Sequence, residues 1–149
     1  MSCFQDRKRF ILPVRFAMHR SSKNTCPFCR RIETRELVAE NDMAAALVDA
    51  FPVTPGHRLI VPKRHEPDFF SLREDEQKAM LDLVKIVKAA LDREHRPDAY
   101  NIGINAGREA GQTLFHVHLH LIPRYRGDVA DPRGGIRWMF PEKARYWRE

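Results

Sequence analysis

Residues 99–123 read "AYNIGINAGREAGQTLFHVHLHLIP", two alternating apolar stretches on either side of a loop that carries Gly107 and Gly111. The alternation over 99–105 and 114–123 predicts two strands, and "AGREAGQ" between them permits a wide hairpin. In the second stretch His116, His118 and His120 alternate with Val117, Leu119 and Leu121. Successive side chains of a strand point to opposite faces, so the three imidazoles are expected on one face. Phe115, Val117, Leu119 and Leu121 are expected on the other, toward the core.

Upstream, "RELVAEND" (35–42) and "MAAALVDAF" (43–51) read as strands joined at Asn41-Asp42, a hairpin signal that lacks its usual glycine. "FPVTPGH" (51–57) is a Pro/Gly loop leading into the apolar strand "RLIVPKRH" (58–65), which completes a three-strand meander. Ser71 followed by Glu74 has the spacing of a capping box. Met80, Leu83, Val84, Val87 and Leu91 then recur at helical spacing until Pro97 stops the helix. The expected architecture is α+β, an antiparallel sheet with one long helix on one face.

The 149 residues, 43% of them hydrophobic, suit one domain with a core of its own. No apolar run approaches the ~20 residues of a membrane helix, and the N-terminus lacks a secretory-signal layout. A soluble, cytoplasmic protein with no membrane partner is therefore expected. Its three cysteines, an odd number, argue for a reducing compartment. The net charge of +6 favours phosphate-bearing partners without saying which. Residues 1–24 read as a basic extension, with Arg7, Lys8, Arg9, Arg15, Arg20 and Lys23. It fits a phosphate-seeking arm, a targeting segment, or a start placed upstream of Met18. Residues 25–126 form the expected domain, and 127–149 a tail packed on that domain or on a partner subunit.

Three in-register histidines suit either metal binding or covalent catalysis, because a neutral imidazole offers a lone pair near neutral pH. Their neighbours favour chemistry on phosphate. Asn105, Gly107, Gly111, Gln112 and Thr113 offer amide, hydroxyl and backbone N–H groups, and Lys63, Arg64, Arg108 and Arg124 offer charge. Cys26-Pro27-Phe28-Cys29 has the spacing of half a zinc site. Taken alone it leaves a metal site, a redox pair and two idle thiols open.

The run "NIGINAGREAGQTLFHVHLHLIPR" resembles the signature of the histidine triad family, His-φ-His-φ-His-φ-φ with φ apolar, at His116-Val117-His118-Leu119-His120-Leu121-Ile122. "LVDAFPVTPGHRLIVPKRH" is similar to the family's ribose-binding strand and loop, and "YRGDVADPRGGIRWMFPEKARYW" to the C-terminal segment of bacterial diadenosine polyphosphate hydrolases. The resemblance implies a nucleotide substrate cleaved at the α-phosphate of an adenosine-phosphate-X compound. Dinucleoside polyphosphates come first and phosphoramidates second. The catalytic set is His116, His118 and His120, with His118 the nucleophile and His120 on the phosphate. It further implies that Asp49 accepts the ribose hydroxyls and that Asn105 and Thr113 meet phosphate or leaving group, with Gln112 a further candidate. Phe28, Ile32 and Leu47 would form the purine wall.

For members with this CxxC, the resemblance implies a structural zinc on Cys26, Cys29, His65 and His116. It also implies a homodimer. His19, His57 and His95 are expected to be ordinary surface or loop residues. Trp138, Tyr146 and Trp147 either line the leaving-group side, pack on a second subunit or cover the sheet edge. Three rival functions remain at this level. The favoured one is a hydrolase acting through a nucleotidyl-histidine; the alternatives are a zinc-stabilised nucleotide or nucleic-acid binding protein and a metal hydrolase built on the triad. Nucleic acid is the less expected partner.

Overall fold

Residues 22–147 are described by a computed structural model of the chain. The basic extension expected over 1–24 therefore lies, up to residue 21, outside the described residues. Strand β1 (Ala39–Glu40) and strand β2 (Ala44–Val48) form the first hairpin, with Ala39 opposite Ala46. The side chain of Asn41 does the work of the missing glycine. Its Oδ1 accepts the N–H groups of Met43 (3.2 Å) and Ala44 (2.8 Å), and its amide donates to the Ala79 carbonyl (2.7 Å), tying the turn to the long helix.

Strand β3 (Arg58–Pro62) pairs with β2, and β5 (Leu119–Arg124) lies between β3 and β4 (Ala99–Ile104). The sheet is antiparallel throughout, in the order β1-β2-β3-β5-β4. Its two faces bury different sets. Ala44, Ala46, Ile60, Val117, Leu119 and Leu121 pack with Met80, Leu83, Val84, Val87 and Leu91 of helix α2 (Glu74–Glu94). Ala45, Leu47, Leu59 and Val61 pack with Cys26, Phe28 and Cys29 of a short helix, α1 (Pro27–Glu33), and its cap. The expected long helix thus covers one face as read, and α1 covers the face that the sequence reading left bare. Each fully buried large apolar side chain contributes about 1.5–3 kcal/mol, which makes the α2 stripe a principal anchor.

The strands are shorter than expected: of 35–42 only Ala39–Glu40 is strand, and the stretches 43–51 and 58–65 keep Ala44–Val48 and Arg58–Pro62. Two further boundaries shift for identifiable reasons. Helix α2 begins at Glu74 rather than directly after Ser71, because Asp68 takes Ser71 first: its carboxylate accepts the Phe70 N–H (3.0 Å) and the Ser71 hydroxyl (2.9 Å). The role expected of Glu74 falls to Glu76, which accepts the Arg73 N–H at 2.9 Å. Strand β5 begins at Leu119, not at Leu114. The carbonyl of Pro62, at the end of β3, accepts a proton from His116 Nε2 (2.8 Å), and the Val117 N–H turns to the Glu66 carbonyl (2.7 Å). Alternation survives the early departure: Val117, Leu119 and Leu121 remain buried against α2. The imidazole side is no solvent face, since His116 and His118 are both buried.

Beyond β5 the tail folds back beside β4, placing Ile136 near Gly103, and closes with helix α3 (Pro141–Ala144). There Arg133 stacks over the Trp147 ring at 4.5 Å, and Trp138 Nε1 donates to the Arg133 carbonyl at 2.7 Å. Among the described residues no helix is long and apolar enough to cross a membrane.

Candidate active site

The N-terminus of α1, the end of β3 and the approach to β5 converge on four side chains. Cys26 Sγ lies 3.4 Å from His116 Nδ1, and Cys29 Sγ lies 3.5 Å from the same atom and 3.3 Å from His65 Nδ1. All four donor atoms lie within 4.8 Å of one another, so the group could hold a metal ion. The Pro62 contact fixes the proton of His116 on Nε2, which turns the Nδ1 lone pair toward the thiols. Burial makes charge costly here, pushing Cys29 up to about 12, with Cys26 beside it adding to the effect, and His116 down to about 4. A bound cation would offset that cost by stabilising the cysteines as thiolates beside the neutral imidazole, and the set matches the preference of zinc for sulfur and nitrogen.

Two residues on, His118 is 7% exposed. Its Nδ1–H donates to the carbonyl of His116 at 2.8 Å, so Nε2 keeps a free lone pair. The Phe28 ring meets it edge-on at 5.4 Å between centroids. His120 has the opposite tautomer, set by a residue the sequence reading dismissed. His57, expected to be an ordinary loop histidine, is 2% exposed. Its Nδ1 accepts the Val53 N–H (3.4 Å), which leaves the proton on Nε2, 3.1 Å from His120 Nδ1. His120 therefore accepts at Nδ1 and carries its own proton on Nε2. Burial lowers both imidazoles, His120 to about 4, keeping this relay neutral.

Asp49 Oδ2 lies 3.4 Å from His57 Nε2 and 3.9 Å from His120 Nδ1, while its Oδ1 accepts the Phe51 N–H at 2.7 Å. A signal for His57 existed. It lies two residues before Leu59 and shares that residue's face, and Leu59 pairs with His120. The pairing of β3 with β5 was what could not be read.

The remaining expected residues divide. Thr113 is exposed at the loop end, and Asn105, half-buried directly after β4, turns its amide toward Gly111. The amide of Gln112 is engaged within the loop: Oε1 accepts the Gly107 N–H (2.9 Å), and Nε2 donates to the carbonyls of Pro67 (2.8 Å) and Leu114 (3.1 Å). Gly107, at φ 93°, holds a backbone conformation that suits glycine. Of the residues expected at a purine wall, Phe28 is buried, Ile32 is half-buried against α1's cluster, and Leu47 is fully buried in it. Three of the four expected cations point elsewhere. Lys63 pairs with Glu40 (2.8 Å), Arg64 with Glu66 and Glu76 (2.8 Å each), and Arg124 with Asp128 (2.7 Å). Arg108 alone of these stays in the loop, over the Phe115 ring.

The profile of the HIT domain matches residues 30–127. The chain belongs to the histidine triad (HIT) family. This HIT chain is 38% identical over 111 residues to an uncharacterised HIT-like protein of Mycoplasma genitalium, covering 72% of itself and 79% of that protein. It is 34% identical over 109 residues to the adenylylsulfatase HINT3 of Arabidopsis thaliana, covering 71% of itself and 55% of the plant protein. To the asymmetrical bis(5'-nucleosyl)-tetraphosphatase of Schizosaccharomyces pombe it is 37% identical over 89 residues, 60% of this chain and 49% of that one. Among solved structures, a HIT family protein of Bacillus anthracis superposes with a TM-score of 0.66 at 37% identity, over 70% of this chain and 77% of that one. A zinc-bound histidine triad protein of Mycobacterium smegmatis gives 0.66 at 30% identity, over 74% and 82%.

Proposed function

We propose that this HIT chain hydrolyses nucleotides of the form adenosine-phosphate-X, with dinucleoside polyphosphates preferred and phosphoramidates next. The observation that carries the reading is the pair of opposed tautomers on neighbouring imidazoles. His118 offers a lone pair at Nε2, and His120 offers a proton at Nε2. Attack by His118 Nε2 on the α-phosphorus forms a P–N bond and breaks the bond to X, whose electron pair leaves with it; a phosphate chain departs as the anion, and an amine takes a proton from solvent. Water then breaks the P–N bond, releases the nucleoside monophosphate and restores the imidazole. His120 Nε2–H stabilises charge on the phosphoryl oxygens, the main service a protein renders in phosphoryl transfer.

Around that step, Asp49 accepts the ribose hydroxyls, Asn105 and Thr113 meet phosphate or leaving group, and Phe28 and Ile32 face the purine with Leu47 behind them. Gln112 serves by holding the loop in shape. Cys26, Cys29, His65 and His116 would hold a zinc ion, which supplies four bonds that tie α1 to the end of β3 and to the catalytic segment. The activities for which HINT3 and the yeast tetraphosphatase are named, and the zinc in the mycobacterial structure, support this reading. A homodimer belongs to the same reading, and sedimentation tests it. Incubation with diadenosine tetraphosphate and, separately, with an adenosine phosphoramidate tests the activity. Turnover that His118→Ala abolishes is expected, and no turnover of either compound overturns the proposal.

A further inference from the structure

Outside the cysteine cluster, one other group of metal-ligating side chains converges among the described residues: Asp49, His57 and His120. Their donor atoms are separated by 3.1 Å (His57 Nε2 to His120 Nδ1), 3.4 Å (His57 Nε2 to Asp49 Oδ2) and 3.9 Å (His120 Nδ1 to Asp49 Oδ2). Ligands placed tetrahedrally at the zinc–nitrogen and zinc–oxygen distances of about 2.0–2.2 Å stand roughly 3.3–3.6 Å apart, so the trio needs only small adjustments to share an ion. Two imidazoles and one carboxylate form an open set with room for a further ligand. The side chains of His57, Asp49 and His120 are 3%, 13% and 25% exposed, so the group is buried at its base and reachable from the substrate side.

We propose that Asp49, His57 and His120 form a second divalent-metal site, which takes zinc-like transition ions when nucleotide is absent and inhibits the enzyme. The binding half stands on ligand geometry alone; the inhibition rests on the function proposed above. Coordination takes the lone pair at His57 Nε2, so the proton there moves to Nδ1. The contact to Nδ1 from the exposed Val53, the longest in the relay at 3.4 Å, passes to solvent. The ion removes the carboxylate meant for the ribose and the bond that sets the tautomer of His120. Its effect is opposite in sign to that of a catalytic metal. The donor set also selects the ion: nitrogen-rich sites favour Co²⁺, Zn²⁺ and Cu²⁺ in rising or near-equal order, whereas Mg²⁺ prefers oxygen and water.

The test is a titration of the metal-stripped full chain with Co²⁺, followed by absorption. The first equivalent enters the cysteine cluster and shows thiolate-to-cobalt charge transfer, which also certifies that the chain is folded. A second equivalent is expected with visible d–d bands and no added thiolate absorption. Asp49→Asn and His57→Gln are each expected to keep the first equivalent and to bind the second at least about tenfold more weakly. Adenosine monophosphate is expected to expel the second equivalent from the wild type. Excess Zn²⁺, but not Mg²⁺, is expected to suppress hydrolysis of diadenosine tetraphosphate. Saturation of the wild type at one equivalent, or second-site affinity in both variants equal to that of the wild type, overturns the proposal. Two equivalents with the expected variant pattern, in a chain that hydrolyses nothing, keep the metal site and discard the hydrolase reading.

Discussion

Replacing His57 with alanine removes the one donor that, among the described residues, is aimed at His120 Nδ1, 3.1 Å away. His57 is not expected to touch the reacting atoms, so its loss should act through the orientation and tautomer of His120. Removing a whole transition-state donor typically costs about 10²–10³ in kcat, which sets the ceiling. Removing the partner that orients a functional imidazole typically costs about 10–100-fold, or roughly 1.4–2.7 kcal/mol of barrier. The expected result for His57→Ala is therefore a kcat down about 10–100-fold, with KM changed far less. His57→Gln, whose amide can still donate toward His120, is expected to recover part of the loss. Steady-state kinetics on diadenosine tetraphosphate with zinc-replete protein provide the assay, and a melting curve separates a catalytic effect from a folding one. A folded His57→Ala enzyme with kcat within about threefold of wild type would refute the relay.

Glu76 is 2% exposed and held at about 2, against a usual 4.5, chiefly by Arg64. That difference corresponds to about 3 kcal/mol, of which about 2 is retained because the Arg64 side chain is 42% exposed and screened. A carboxyl lowered on folding adds stability that is complete above its unfolded pKa of 4.5 and is lost as pH falls toward 2. Wild type is thus expected to exceed Glu76→Gln by about 2 kcal/mol in urea unfolding at pH 7, a gap that narrows at pH 3; an unchanged gap contradicts the pairing. Chelation is expected to lower the wild-type Tm by roughly 8–16 °C, if metal at about a thousandfold over Kd stabilises by ~4 kcal/mol, and to leave Cys29→Ser almost unmoved. Equal shifts in the two proteins would count against the cluster. Gln112→Ala removes three partly buried hydrogen bonds, worth about 2–3 kcal/mol together, so a Tm within about 2 °C of wild type would show that the amide does not hold the loop.

What could be read from the chain was whatever rests on local periodicity. The α2 stripe, the β1-β2-β3 meander and the alternation through His116–Leu121 depend on side chains a few residues apart, and they stand where the pattern put them. The zinc-type ligand set came from the family resemblance, and its four members do come together. What could not be read depends on partners far along the chain. Helix α1 has seven residues, too few for a repeat, and is held by packing on Leu47 and Leu59. Ser71 was competed away by Asp68, and the start of β5 by a side chain bonding Pro62. The relay through His57 needs β3 beside β5, an adjacency set by the crossing of α2. Lys63, Arg64 and Arg124 carry the right charge for a phosphate site, but each has a nearer carboxylate.

The central claim is that His118 becomes covalently bonded to the nucleotide, and intact-protein mass spectrometry of enzyme quenched during turnover of a slow adenosine-phosphate-X substrate tests it most directly. The expected spectrum shows the chain plus one adenylate, located by fragmentation on His118 and missing from His118→Ala. Turnover with no adduct at any quench time, or turnover by His118→Ala at the wild-type rate, would contradict it.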